Sequence, residues 1–129
     1  RRARGFALWA ALRQLGASGV GELVARYAEN ARSFARIISR CSGLRVLNEV
    51  CFNQVVVLAE APNGSDRAAW TTRVVRALQA EGTCYATPSY WHGGPVIRFS
   101  FCNATTTDGD VQAMADALVR VYGVALAEA

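Results

Sequence analysis

Hydrophobic residues in the first third of the chain recur at the three- and four-residue spacing of amphipathic helices. One helix is predicted over residues 6–15, and the glycine-rich stretch 16–19 interrupts it. A second helix is predicted over residues 20–41, where about 22 residues would form a rod of about 33 Å, long for a small domain. The apolar stripes are Leu8, Leu12 and Leu15 in the first helix, and Val20, Leu23, Val24, Tyr27, Ala31, Phe34 and Ile38 in the second.

Shorter apolar runs in the middle of the chain are typical of strands. Strands are predicted over residues 44–48 and 54–60, followed by a helix that Ser65 or Asp66 can cap and Gly82 ends. The buried face of this helix is predicted to contain Trp70, Val74 and Leu78.

A predicted hairpin and a helix complete the chain. The hairpin strands cover residues 84–90 and 96–102, around the connection 91–95. The last helix begins with Asp108 and Asp110 in its first turn, where the helix dipole favours negative charge. Its core stripe is predicted to be Val111, Met114, Leu118 and Val121.

The predicted element order is α-α-β-β-α-β-β-α, in which helices interrupt strand pairs. This order predicts an α+β fold with a small antiparallel or mixed sheet of about four strands, covered by helices mainly on one face and preceded by a long interdomain helix. Residues 1–43 are predicted to be a helical connector and residues 44–129 an α/β sandwich, all in a single domain.

Composition excludes several kinds of chemistry. The 129 residues carry a net charge of +4 and include one histidine and no lysine. The chain therefore lacks a lysine for a Schiff base or a P-loop, and it cannot form a two-histidine zinc site. The arginines are dispersed except at residues 1–4, and no apolar run approaches about 20 residues. We predict no metal site, no binding to nucleic acid and no membrane span.

The cysteines are Cys41, Cys51, Cys84 and Cys102, and no two form a C-x-x-C pair. Zinc-knuckle and redox motifs are therefore unsupported. An even number permits two disulfides in an oxidising compartment. Because each cysteine lies in or beside an apolar segment, the sequence favours free thiols and a cytoplasmic location.

Arg98 is the main candidate for binding chemistry. In a strand, Ile97, Phe99 and Phe101 share one face and Arg98 lies on the other. A guanidinium matches a carboxylate with two parallel hydrogen bonds, so an arginine on a poorly hydrated sheet face predicts an anion site. Two alternatives remain open: an ion pair with an acid of this chain, or an arginine exposed on an uncovered sheet.

Three other parts of the sequence are weaker candidates for binding chemistry. His92 can reach a cleft from the hairpin tip, although a turn residue explains it equally. The Gly16–Gly21 stretch lacks the G-x-G-x-x-G spacing, which favours a helix–helix turn over a phosphate loop. Asp108 and Asp110 suggest a metal pair, but helix capping accounts for both.

The ordered set of motifs resembles the C-terminal part of the group II pyridoxal-phosphate-dependent amino-acid decarboxylases. The resemblance begins at Arg4-Gly5-Phe6-Ala7-Leu8-Trp9-Ala10-Ala11-Leu12-Arg13-Gln14-Leu15-Gly16 and returns at Gly82-Thr83-Cys84 and Trp91-His92-Gly93. It ends with Val96-Ile97-Arg98-Phe99-Ser100-Phe101-Cys102-Asn103, Thr106-Thr107 and Asp110-Val111. It covers nearly the whole chain in the same order.

The resemblance implies the small domain of an enzyme of the aspartate-aminotransferase fold type. Its large domain would hold pyridoxal phosphate, so this chain would contain no catalytic and no cofactor-binding residue. Arg98 matches the position at which family members present an arginine to a substrate or product carboxylate, and His92 would line the entrance. The implied partners are the large domain, a second subunit of a homodimer and an amino-acid substrate. Because the sequence starts at Arg1 without methionine, we also expect it to be part of a longer chain.

Three other functions remain open from the sequence. An aminotransferase of the same fold type would share the architecture and differ in reaction. A free-standing regulatory module would use Arg98 to bind an anion or amino acid. An arginine-rich nucleic-acid binder would show salt-dependent affinity for DNA.

Overall fold

The first helix, α1 (Arg4–Ile38), is bent at a glycine. The computed structural model describes residues 3–129, so Arg1 and Arg2 of the predicted basic cluster lie outside the described residues. Gly16 has φ 65° and ψ −177°, a non-helical conformation that strongly favours glycine. It divides α1 into residues 4–15, called here the N-terminal arm, and the continuing helix 17–38. The predicted break is thus confirmed, but the helix resumes at once rather than at residue 20.

A sheet of four antiparallel strands follows. The strands are β1 (Leu44–Val46), β2 (Gln54–Ala59), β3 (Thr87–Trp91) and β4 (Gly94–Ser100). Their order in the sheet is β1-β2-β4-β3. Two further helices, α2 (Arg67–Glu81) and α3 (Asp108–Ala127), follow β2 and β4. The predicted α+β class and element order are confirmed.

The core lies between one face of the sheet and the three helices. Alternate residues of the central strands, including Val55, Val57, Ile97 and Phe99, are fully buried against helix residues. Phe34 of α1 packs on Phe99, with ring centroids 4.6 Å apart. Within residues 3–129, the hydrophobic core cluster lies on one face of the sheet only, and the opposite face is called here the open face.

Several element bounds differ from the sequence prediction. Helix α1 ends at Ile38 rather than residue 41, because the chain must turn through Gly43, at φ 77°, to enter β1. The hairpin strands cover residues 87–91 and 94–100 rather than 84–90 and 96–102, and a connection of two residues, His92 and Gly93, joins them in place of the predicted 91–95. The first part of the predicted α1 stripe is not in the core: Val24 is 44% exposed, and the buried residues of α1 begin at Ala28.

Local signals placed the later helix ends correctly. The Asp66 carboxylate accepts hydrogen bonds from the backbone N–H groups of Ala68 (2.8 Å) and Ala69 (3.3 Å) at the start of α2. Gly82, at φ 90°, ends that helix.

Among the helices in residues 3–129, none is long and apolar enough to cross a membrane.

Candidate functional site

Strand β4 directs Arg98 onto the open face of the sheet. Its neighbours Ile97 and Phe99 are fully buried in the core, whereas Arg98 and Ser100 are exposed. The alternation predicted from the sequence is therefore present. The guanidinium does not enter the hydrophobic interior.

Two β-branched residues lie on either side of Arg98 across the sheet. The register pairs Arg98 with Val56 of β2 and with Thr87 of β3. Val56 is only 6% exposed, although it lies on the face that the helix core does not cover. Directly opposed side chains in antiparallel strands have Cβ atoms about 5 Å apart, so Val56 and Thr87 are the nearest cross-strand neighbours of Arg98.

Arg98 has no ion-pair partner among residues 3–129. The salt bridges in this part of the chain join Arg32 and Arg36 to Glu29, Arg73 to Glu128 and Arg120 to Glu81. None of these salt bridges includes Arg98. An internal ion pair, one of the alternatives left open by the sequence, therefore does not occupy this guanidinium.

Arg98 lines a cleft of about 700 Å³. One wall is the segment 83–87, and another is formed by residues 103–106 and the first turns of α3. The cleft contains one acid, Asp110, but its Oδ2 already accepts hydrogen bonds from the Thr107 backbone N–H (2.8 Å) and hydroxyl (2.7 Å). Because Arg98 makes no salt bridge within residues 3–129, the cleft offers its guanidinium to an anion from outside the chain. Its polar and sulfur-bearing lining residues are Thr83, Cys84, Tyr85, Thr87, Arg98, Ser100, Cys102, Asn103, Thr105, Thr106, Asp110 and Met114.

The cysteines around the cleft differ in accessibility. All four cysteines of the chain are free, and Cys102, two residues beyond the end of β4, is exposed. Cys84 is half-buried, and burial together with the nearby Glu81 carboxylate raises its pKa to about 11. At neutral pH Cys84 is a protonated thiol with little nucleophilic character.

His92 lies in the turn of the β3–β4 hairpin and does not line the cleft. His92 and Gly93 have φ values of 47° and 78°, which is typical of a two-residue hairpin turn with both central residues in the left-handed region. The His92 ring contacts Trp91 edge-on, with centroids 5.0 Å apart. From Thr87, opposite Arg98, to Trp91 the strand spans about 13 Å. The structure does not bring His92 and Arg98 together, and a substrate contact by His92 stays a prediction.

The other candidates have structural explanations. Asp110 belongs to a capping box with Thr107, whose hydroxyl accepts from the Asp110 backbone N–H at 3.2 Å. This hydrogen bonding, first from the Thr107 backbone and then from its hydroxyl, lowers the pKa of Asp110. The Gly16–Gly21 stretch lies within α1 and contains its bend. Within residues 3–129, no cluster of three or more metal-ligating His, Cys, Asp or Glu side chains forms.

The N-terminal arm carries a second surface feature. Its large apolar side chains point into solvent rather than into the core: Phe6 is 70% exposed, Leu8 62%, Trp9 57%, Leu12 48% and Leu15 40%. Soluble monomers rarely expose contiguous apolar surface of this kind unless it is an interaction site.

Solved structures with the same fold include two decarboxylases and a synthase. Catharanthus roseus tryptophan decarboxylase in complex with L-tryptophan matches with a TM-score of 0.82 and 17% identity, over 96% of this chain and 27% of that one. Rhodiola rosea 4-hydroxyphenylacetaldehyde synthase matches with a TM-score of 0.82 and 17% identity over the same shares. A third structure, from Vibrio parahaemolyticus, is the glutamate decarboxylase domain of diaminobutyrate-pyruvate transaminase and L-2,4-diaminobutyrate decarboxylase. It matches with a TM-score of 0.75 and 13% identity, over 91% of this chain and 25% of that one.

Sequence comparison adds nothing to this likeness, since no protein-family model and no curated protein matches the chain. The chain spans about a quarter of the length of each of these solved structures. At this level of identity the likeness shows the fold. The chain thus has the fold of a segment of these amino-acid decarboxylases, the fold that the resemblance of its motifs implied.

Proposed function

We propose that this chain is the C-terminal small domain of a pyridoxal-phosphate-dependent L-amino-acid decarboxylase, and that Arg98 binds a carboxylate of the substrate. The observation that carries the proposal is the position of Arg98, which lines a cleft and has no ion-pair partner among the described residues. The fold of the tryptophan and diaminobutyrate decarboxylases supports the reaction class.

The residues of this chain do not by themselves fit pyridoxal phosphate. The cofactor requires a lysine amine, and the chain contains no lysine. The one cationic side chain of the cleft is a guanidinium, which cannot replace an amine in that role. In our proposal the large domain holds the cofactor, and the present chain is inactive alone.

The role of Arg98 follows from the energetics of decarboxylation. A guanidinium holds a carboxylate by charge-assisted, often bidentate hydrogen bonds. The carboxylate that leaves as carbon dioxide loses its negative charge in the transition state. If Arg98 held that carboxylate, it would stabilise the ground state more than the transition state, and the reaction would slow. Arg98 therefore serves best by holding a carboxylate that stays on the substrate, where it contributes binding and orientation. Dicarboxylic L-amino acids are the substrate class that meets this requirement.

The proposal also accounts for the apolar arm. The similar solved structures are about four times as long as this chain, so an equivalent whole protein would contain a further domain. We propose that the N-terminal arm packs on the large domain and that two such polypeptides form a homodimer. The apolar side chains from Phe6 to Leu15 would then be buried in the assembled enzyme.

The test is to assay the longer polypeptide that contains this chain, supplied with pyridoxal phosphate, for the products of each candidate reaction. Release of carbon dioxide from an L-amino acid supports the proposal. Formation of the 2-oxo acid without carbon dioxide release would identify an aminotransferase instead. Micromolar binding of an amino acid to the 129-residue chain alone, with neither product formed by the longer polypeptide, would favour a regulatory binding module.

A further inference from the structure

We propose that Thr87 is a specificity-determining residue of the cleft, whose hydroxyl donates a hydrogen bond to the same carboxylate that Arg98 holds. The identity of that carboxylate as part of a substrate rests on the proposed function. That Thr87 and Arg98 lie side by side follows from the sheet register alone and does not depend on the proposed function.

The sheet register places the two side chains together. Thr87 of β3 is the direct partner of Arg98 of β4 in an antiparallel pair, so both side chains emerge on the open face. Side chains at directly opposed positions have Cβ atoms about 5 Å apart. Both residues also line the same cleft, whereas Val56, the partner of Arg98 on its other side, does not.

The Thr87 hydroxyl is not used within the described part of the chain. Several other threonine hydroxyls have partners: Thr71 and Thr72 donate to carbonyl oxygens one helical turn earlier, both at 2.9 Å, and Thr105 donates to Asn103 Oδ1 at 3.0 Å. Thr87 makes no such bond to a residue within 3–129, although it is half-buried. A partly buried hydroxyl without a protein partner is available to a ligand.

The chemistry of the two groups is complementary to one carboxylate. A carboxylate offers about four lone-pair sites, of which a bidentate guanidinium uses two. A neighbouring hydroxyl can fill a third by donating its proton. Val56 has no donor, so among the two residues that pair with Arg98 across the sheet only Thr87, on the β3 side, can make this third bond. The carboxylate is therefore drawn toward β3, and its orientation in the cleft is fixed.

The first experiment measures binding without any enzyme activity. The 129-residue chain is titrated with sodium glutarate while backbone amide shifts are followed by NMR. We expect saturable shifts at residues 87 and 98, and no saturable binding for Arg98→Met. Thr87→Val, which keeps the shape of the side chain, should weaken binding at least about 3-fold, because a hydrogen bond to a charged group is lost. Thr87→Ser should stay within about 2-fold of the wild type.

Ser89→Ala is the matched control. Ser89 lies on the same strand and face, two residues from Thr87, but it pairs with Val96 and does not line the cleft. Removal of this hydroxyl should leave glutarate affinity unchanged. The amide spectrum of each variant shows whether it remains folded. Wild-type affinity in a folded Thr87→Val variant, or the absence of saturable wild-type binding, would overturn the inference.

The second experiment separates this inference from the proposed function. In the longer polypeptide, Thr87→Val should raise KM for the amino-acid substrate by a similar factor and leave kcat nearly unchanged. If glutarate binds as expected but the polypeptide releases no carbon dioxide, the proposed function fails and the Thr87–Arg98 pair stands. If carbon dioxide is released and Thr87→Val leaves KM unaltered, the inference about Thr87 fails alone.

Discussion

Gly43 packs directly against the ring of Tyr122, so closely that a Cβ atom on Gly43 would overlap the tyrosine hydroxyl and lie 2.8 Å from the ring carbons Cε1 and Cζ. Gly43 also has φ 77°, in the region that disfavours side chains. The Tyr122 hydroxyl donates to the Glu60 carbonyl at 2.9 Å, and the Glu60 N–H donates to the Gly43 carbonyl at 2.8 Å. This contact joins the end of α3 to the turn that leads into β1.

The first prediction concerns that contact. Gly43→Ala should lower the free energy of unfolding by about 2–4 kcal/mol, because it adds left-handed backbone strain of about 1 kcal/mol and a steric overlap in a packed core. Gly64→Ala is the control, since Gly64 has φ 82° but open space around it. Gly64→Ala should lower the free energy of unfolding only by the backbone strain of about 1 kcal/mol. Urea unfolding of both variants measures the difference, and equal destabilisation would show that the Tyr122 contact contributes nothing.

The second prediction concerns the pH dependence of the α3 capping box. Hydrogen bonds from Thr107 lower the pKa of Asp110 from its ordinary value of 3.8. The folded protein therefore binds this proton less readily than the unfolded chain, and the resulting stabilisation is present above about pH 4. It is lost as pH falls below 3.8 through the lower folded pKa. Asp110→Asn should reduce the slope of stability against pH in that range, which thermal unfolding at stepped pH can measure. An unchanged slope would refute the assignment.

The third prediction concerns thiol reactivity in the cleft. Because burial raises the pKa of Cys84 to about 11, its thiolate is scarce at pH 8. Iodoacetamide should modify the exposed Cys102 at least about 10-fold faster than Cys84, as followed by peptide mass spectrometry. In the unfolded chain the two rates should converge. Comparable rates in the folded protein would mean that Cys84 is not shielded.

The fourth prediction concerns the N-terminal arm. Its side chains lie outside the core cluster, so the double substitution Leu8→Glu and Leu12→Glu should leave the unfolding free energy of the 129-residue chain unchanged within about 0.5 kcal/mol. Phe34→Ala, in the core, should cost about 3–5 kcal/mol. In the longer polypeptide, the same arm variant should be destabilising, since we propose that the arm is buried there. Equal stability of that polypeptide with and without the arm substitutions would contradict the packing.

The elements and the exposure of Arg98 could be predicted from local patterns, because each depends on residues near in sequence. Strand alternation at Ile97, Arg98 and Phe99 was sufficient to place the guanidinium outside the core. Capping by Asp66 and termination by Gly82 likewise depend on single residues with strong local preferences.

The pairing of Thr87 with Arg98 was missed because the hairpin connection was predicted to span residues 91–95. A turn of His92-Gly93 alone pairs Trp91 with Gly94, and counting back along both strands then pairs Thr87 with Arg98. The glycine at the second turn position was the available signal. The pairing of Val56 with Arg98 had no such signal, because β2 and β4 are separated by α2 and β3. The contact between Gly43 and Tyr122 depends on how α3 packs and could not be read from local sequence.

The central claim is that Arg98 binds a substrate carboxylate in a decarboxylase, and steady-state kinetics of carbon dioxide release by the longer polypeptide test it most directly. With a dicarboxylic L-amino acid, Arg98→Met should raise KM by at least about 10-fold, because a charge-assisted pair is lost, while kcat changes much less. Unchanged KM in the folded Arg98→Met variant, or no carbon dioxide release by the wild type with any amino acid, would contradict the account.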